Sequence, residues 1–307
     1  MNLRGFNLLL FIATAKGAVA DNMLGFDIYG DSSKFDPSDY ITVDPDTCEY
    51  HAEVHINFGA ADPPFPSGEA DCTTIESTAC NGQSCLFEVR NVYKLSKSFK
   101  KYTGFNHIGL DWSPCGHPPA EKFGKPHWNM HIFRVSPKER EQVYCENMPN
   151  PFICNFEEEQ PNIEGRKFFV HGTNKDGNLA NVPSSFSAAL DTAVPGEGVH
   201  AWDIENTANV TDWNEPLLIE GLYDGGIQFW EPMFPVEFVT GDSEKFYESN
   251  ETYASQTIVS LPSYWSMTYN PDTGVTTLVL EGKAQKCPKN SKSGKSAKTG
   301  KARRIRK

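Results

Sequence analysis

The stretch YWSMTYNPDTGVTTLVLEG, residues 264–282, constrains the fold of this chain more than any other. Apolar and polar residues alternate on either side of Asn270-Pro-Asp-Thr-Gly274, and a period of two is the signature of a strand with one buried face. Asn, Pro, Asp and Gly supply turn geometry and a position for positive φ, so the stretch predicts a β-hairpin. HAEVHINFG, SCLFEVRNVYKL, HWNMHIFRV and KFFVHG show the same alternation or are enriched in β-branched and aromatic residues. The 21 prolines and 24 glycines are spread through the body and argue against long helices. One short helix is expected over 182–193, VPSSFSAALDTA, with Ser184 or Ser185 as its cap. The expected fold is mostly β, built as barrel or sandwich-like layers.

The first residues, MNLRGFNLLLFIATAKGAVADN, place Arg4 before a largely apolar run from Phe6 to Ala13 and end in Ala18-Val19-Ala20. That pattern predicts a cleaved secretory signal over 1–20, the apolar run being too short for a bilayer span. No later stretch approaches the roughly 18 apolar residues of a membrane helix, so the expectation is a secreted or extracellular protein without a membrane span. All eight cysteines lie after residue 20, an even number that suits disulfides, and none forms a C-x-x-C pair. In DCTTIESTACNGQSC the expected local bridge is Cys72–Cys80 or Cys72–Cys85, with Cys145–Cys154 a second. Asn209-Val-Thr211 and Asn250-Glu-Thr252 are glycosylation sequons. CENMPNPFICNFEEEQPN, rich in proline and acids, predicts a boundary near 146–162 between β-rich domains at 21–145 and 146–282.

Charge divides the chain sharply. Eleven of the 28 basic residues lie in 283–307 with no acid, and two more precede residue 21, which leaves 15 bases against all 40 acids in the body. A body this acidic repels phosphates, which argues against nucleic acid as a partner. In the tail, Lys283, Lys286, Lys289, Lys292, Lys295, Lys298 and Lys301 recur at every third position. Between them stand mostly Ser, Ala, Gly and Thr, which build no core, so 283–307 is expected to be disordered.

GHPPAEKFGKPHWNMHIFRV, residues 116–135, holds three of the eight histidines. If HWNMHIF is a strand, His127, Asn129 and His131 share one face, with neighbours about 6.6 Å apart and the two histidines about 13 Å apart. A single ion is then bound directly by at most one of His127 and His131, and other ligands come from elsewhere. His117 in the rigid CGHPP turn, His200 at the end of VPGEGVH and Glu231 in GGIQFWEPM are the candidates. Imidazoles with or without a carboxylate suit a divalent metal such as Zn²⁺, Mn²⁺ or Fe²⁺, with Glu231 as ligand or general base. His51 and His55 share the four-residue spacing without a supporting turn, and read as structural.

GFNHIGLDWSPCGHPP, KPHWNMHIF, VPGEGVHAWD and LYDGGIQFWEPM resemble a family of exported, largely bacterial proteins classed as a domain of unknown function. Its pattern runs G-H-x-P-P, then P-H-aromatic-D-x-H-aromatic, V-P-x-x-G-x-H-W, and Y-D-G followed by E-P-M. The likeness covers residues 102–137 and 192–281. It implies His117, His127, His131, His200 and Glu231 as a shared polar set on a β-rich fold, with homo-oligomerisation, but no reaction. Asn129 stands where that family has Asp, and Ala201 separates His200 from Trp202. VPGEGVH also resembles the P-x-G-x-x-H segment of cupins, without the companion H-x-H. The spaced lysines of the tail resemble the K-x-x-K clusters of silaffins and other diatom silica-associated proteins. That likeness implies targeting to silica-forming vesicles and binding to silica or its polyanionic phosphorylated matrix.

Other chemistries lack their signatures. There is no G-x-S-x-G elbow, and SGKS in the tail has no glycine five residues before Gly294, as a phosphate loop requires. Three functions remain: a secreted β-rich protein with a His/Glu metal pocket, a matrix or silica cell-wall component anchored by its lysine-rich tail, and a cupin-like binder of a sugar or small molecule without metal.

Overall fold

The computed structural model describes residues 35–58, 91–113, 116–117, 119–140, 183, 185–188, 196–223, 226–251, 253 and 261–288. Twelve strands run through them: β1 (Ser38–Val43), β2 (Glu49–Asn57), β3 (Asn91–Lys94), β4 (His107–Ser113), β5 (His127–Phe133), β6 (Ser187–Ala188), β7 (Val199–Trp202), β8 (Leu217–Tyr223), β9 (Gly226–Pro235), β10 (Lys245–Asn250), β11 (Pro262–Asn270) and β12 (Val275–Lys283). Short helices occupy Lys97–Thr103 (α1), Ala120–Phe123 (α2) and Pro137–Arg140 (α3). The strands form a five-stranded sheet, β1-β2-β12-β11-β10, and a seven-stranded sheet, β3-β4-β5-β9-β8-β7-β6, each antiparallel throughout.

The hairpin expected at 264–282 is β11–β12. Its turn is closed by the Gly274 N–H on the Asn270 carbonyl at 2.8 Å, while the Asn270 side chain accepts from Asp272 and Thr273. Alternation then decides what each sheet buries. Ala52, Val54 and Ile56 of β2, Leu278 and Leu280 of β12, and Trp265 and Met267 of β11 face inward from the five-stranded sheet. Ile108, Leu110, Trp112, Trp128, Met130, Ile132, Trp230 and Phe234 meet them from the other. Aromatic edges interlock across the interface, with Trp230 against Trp265 at 5.4 Å and Phe58 against Trp128 and Phe234 at 5.1 and 5.7 Å. Each such side chain contributes about 1.5–3 kcal/mol by leaving water. The result is a sandwich of open sheets, not a closed barrel: β1, β10, β3 and β6 end them.

Both sheets draw strands from either side of the boundary expected near 146–162. β2 pairs with β12 and β5 with β9, so the two halves of the chain share sheets and a common core. The helix expected over 182–193 gives way to other structure in its described part. Pro183 bridges Tyr253, and Ser187–Ala188 form β6 against Trp202 and Ala201 of β7, a pairing that outweighs one marginal helical turn. A helix the same reasoning overlooked is α1, capped by Ser96 accepting from Phe99 N–H and closed by Gly104 in the left-handed conformation.

The tail is ordered further than expected. Lys283 ends β12 and pairs with Glu49 at 2.8 Å, and Gln285 donates its N–H to the Tyr102 carbonyl. Cys287 is disulfide-bonded to Cys48, a link that closes a loop 239 residues apart in sequence. A loop of that length constrains the unfolded chain by about 5 kcal/mol in the chain-entropy account. The bridges expected at Cys72, Cys80, Cys85, Cys145 and Cys154, the leader over 1–20 and residues 289–307 lie outside the described residues. Among the described residues no helix is long and apolar enough to cross a membrane.

Inside the sandwich Glu220 of β8 is fully buried and accepts from the Tyr253 hydroxyl at 2.9 Å. Burial pushes its carboxyl well above the ordinary value of 4.5; the Tyr253 hydrogen bond opposes the shift and the charge on Glu251 adds to it. Folded and unfolded chains both hold this proton at low pH, whereas above about pH 4.5 only the unfolded chain releases it, so Glu220 makes stability fall as pH rises. Glu220→Gln is therefore expected to flatten that slope. Urea midpoints of both proteins between about pH 4.5 and about pH 7 check it, since the variant's advantage must grow with pH; a gap independent of pH contradicts a protonated Glu220.

A candidate metal centre

The opposite face of the seven-stranded sheet carries the polar residues that the sequence singled out. In β4 and β5, Gly109 stands opposite His131 and Asp111 opposite Asn129. In β9, Glu231 lies between Phe229, partner of Phe133, and Met233, partner of Asn129, which sets it beside His131. His200 of β7 faces Gly221 of β8, one strand further out. Four antiparallel strands thus deliver Asp111, His131, Glu231 and His200 to one surface because each strand spends its other face on the core.

The atoms converge. His131 Nε2 lies 3.3 Å from Glu231 Oε1, and ligand atoms of His131, His200 and Glu231 all fall within 4.8 Å of one another. Ligands bonded to one ion at about 2.1 Å in a tetrahedron are about 3.4 Å apart, so this spacing suits a common cation. Glu197, in the loop before β7, brings Oε2 to 3.8 Å from His131 Nε2 and 3.6 Å from His200 Nε2. Its other oxygen is 3.2 Å from Arg140 of α3, whose Nε donates to the Gly196 carbonyl at 3.0 Å and whose guanidinium covers the Phe133 ring at 4.0 Å. On the far side of His131, Asp111 Oδ2 sits 2.8 Å from Nδ1, an ion-pair contact tilted from ideal hydrogen-bond alignment. A carboxylate there favours the proton on Nδ1 and leaves the Nε2 lone pair aimed at the glutamates, the arrangement that orients a ligating histidine. Asp111, His131 and Glu197 also lie within 4.8 Å of one another, but Asp111 meets the nitrogen pointing away from Glu231 and so acts as the orienting group.

The electrostatics favour positive charge. Asp111, Glu197 and Glu231 are three carboxylates at most 3 % exposed, and Arg140 is the guanidinium buried among them. Burial works against a charge on His131, yet Glu231, Glu197 and Asp111 outweigh it and push the imidazole up to about 9. His107, two positions before Gly109 and stacked on Phe133 at 4.7 Å, goes the other way: burial and the Arg140 charge hold it down to about 3.

The five residues expected to form one pocket divide into two groups. His131, His200 and Glu231 are together; His117 and His127 are not with them. His127 shares the face of β5 with His131 but stands four residues, about 13 Å, along the strand. There it packs on Trp213 at 5.0 Å and on His117 at 4.7 Å. Sequence reasoning passed over Asp111, Glu197 and Arg140. Asp111 had a readable signal, an acid inside the otherwise apolar run HIGLDW, since carboxylates are seldom buried without a partner. Glu197 sits three residues before His200 in VPGEGVH, whereas nothing local marks Arg140. His51 and His55 lie on the outer face of the other sheet, each 2.9 Å from Glu53.

Gly221 allows the aromatic wall of the site. A Cβ there would overlap the Phe229 ring, which packs on His131 at 4.7 Å and His200 at 5.3 Å. Gly221→Ala is expected to destabilise the fold by about 1–3 kcal/mol and to perturb both imidazoles together, which chemical denaturation and histidine ring NMR signals measure. Compared with known proteins, the chain matches no family model, no curated protein and no solved structure.

Proposed function

We propose that this protein is an exported, disulfide-bonded β-sandwich that holds one divalent metal ion, of the zinc, manganese or iron class, at His131, His200 and Glu231. The observation that carries the reading is the buried charge: with His131 neutral, as a ligand must be, three carboxylates against one guanidinium leave a deficit of two, which a divalent cation fills in place of the proton His131 otherwise holds. Two histidines and one carboxylate on three different strands leave coordination positions open, as in sites where a metal acts on water or substrate and unlike closed structural sites. Asp111 orients His131, Arg140 holds Glu197, and Glu197 Oε2 is placed to accept a hydrogen bond from whatever occupies an open position. A bound ion supplies Lewis acidity and lowers the pKa of its water. The resemblance to the exported family of unknown function supports the same residues without naming a reaction.

Chelator competition on the purified chain tests this. The tightest-bound ion is expected to be lost in His131→Ala, His200→Ala and Glu231→Gln, each weakening affinity more than about tenfold, and Asp111→Asn to cost about 10–100-fold. His51→Ala leaves it unchanged. Equal affinity in all five variants overturns the reading.

A second reading, an anchored matrix or silica cell-wall protein, is favoured by seven lysines at unbroken spacing of three, five of them beyond the disulfide-fixed Cys287. Such a row drifts around a 3.6-residue helix and repels itself, so an extended polycation meets a polyanion through rotatable ammonium groups. Residues 283–307 fused to a secreted fluorescent protein are expected to concentrate at silica in a silica-forming cell, and to release from isolated silica as salt rises. Diffuse secretion matching a Lys→Ala control removes the targeting role.

A further inference from the structure

His117 and His127 stand apart from the site above, and their geometry raises a question of its own. The rings are 4.7 Å apart, centre to centre, and inclined at 75°. Two imidazoles bonded to one ion at about 2.1 Å place their ring centres roughly 4.5–5.2 Å apart for bond angles of about 90–110°. His127 Nδ1 donates to the Lys125 carbonyl at 2.7 Å, which leaves the lone pair on Nε2. That Nε2 is buried and meets no aligned hydrogen-bond partner, the neighbouring Asn129 amide being turned to Ser113, an arrangement that is costly unless something positive meets the lone pair. Both rings are also held in place. Gly116, at φ 71°, has no room for a Cβ against the Phe123 carbonyl, and the His117 N–H donates to that carbonyl at 3.1 Å. The Trp213 ring backs His127 at 5.0 Å and Phe123 backs His117 at 5.5 Å.

We propose that His117 and His127 form a second metal site, a two-imidazole chelate for a borderline transition-metal cation, separate from the carboxylate-rich centre at His131. Among the described residues no carboxylate completes a three-ligand cluster with the two imidazoles: Glu237 is engaged with Lys125 at 3.6 Å, and Asn129 donates to Ser113 at 3.0 Å. Neutral imidazoles bind chiefly by donating electron density, so the site selects by the Irving–Williams order, with Cu²⁺ first and Zn²⁺ next, and discriminates against Mn²⁺. The first centre, with its oxygen ligands and negative field, accepts Mn²⁺. The two sites therefore differ in the chemistry they recognise.

The test titrates the full chain with Cu²⁺ or Mn²⁺ alone, in a background carrying His51→Ala and His55→Ala so that surface imidazoles do not contribute. Of the Cu²⁺ equivalents bound, one is expected to be abolished by His117→Ala and by His127→Ala and spared by His131→Ala, while an equivalent held by the first centre shows the reverse pattern. Its paramagnetic resonance spectrum should show splitting from two nitrogens. Mn²⁺ binding should be unaffected by the same two substitutions. His127→Gln, with near-ultraviolet circular dichroism, guards against loss of fold, and His117→Ala alters a turn residue that is less buried. Copper binding unchanged in His117→Ala and His127→Ala overturns this proposal and leaves the first centre standing. Failure of the wild type to bind Mn²⁺, Zn²⁺ or Fe²⁺ in a manner sensitive to His131→Ala overturns the first centre and leaves this one.

Discussion

Everything in this structure hangs on β5 being paired on both edges while both of its faces are buried. Hydrogen bonds to β4 and β9 fix its register, so the period of two becomes an absolute assignment of side chains to faces. Trp128, Met130 and Ile132 go to the sandwich interior, and His127, Asn129, His131 and Phe133 go to the other side. A slip of one residue would put three polar groups into the core and three apolar ones against the carboxylates. The packing energy of the core therefore holds the polar site in position, and the site needs little local rigidity of its own.

Charge is the second organising principle. Burying Asp111, Glu197 and Glu231 on one face is unfavourable unless cations answer them. Arg140 answers one, brought in by a single turn of helix and steadied by the Phe133 ring. The remaining imbalance lies where His131 and His200 turn their Nε2 atoms toward the glutamates. Around His127 the neighbours are aromatic, and burial and then the charge of His117 hold its imidazole well below the ordinary range. One sheet face thus offers two environments of different electrical character.

Much of this was legible in the sequence, and the illegible part has a physical cause. Alternation and turn chemistry reveal strands because they act between neighbours, which is why β2, β5 and the β11–β12 hairpin could be read directly. The same alternation placed His127 and His131 too far apart for one ion. What could not be read was strand order. His200 reaches His131 only because β7, β8 and β9 lie side by side next to β5, and no local pattern records that adjacency. Arg140 was invisible for the same reason: its partner is 57 residues away. The expected boundary failed to separate two cores because antiparallel pairing joins β2 to β12 across most of the chain.

The link between Cys48 and Cys287 decides how the molecule bears a mechanical load. Tension on the chain beyond residue 287 does not begin by peeling β12 from β2 and β11, one hydrogen bond at a time. It passes through sulfur to Cys48, in the turn that joins β1 to β2, and loads the five-stranded sheet from within. Shearing a sheet requires many ladder bonds to break together, whereas peeling breaks them singly. Oxidation of one pair of thiols therefore turns the end of β12 from a ripcord into a mooring.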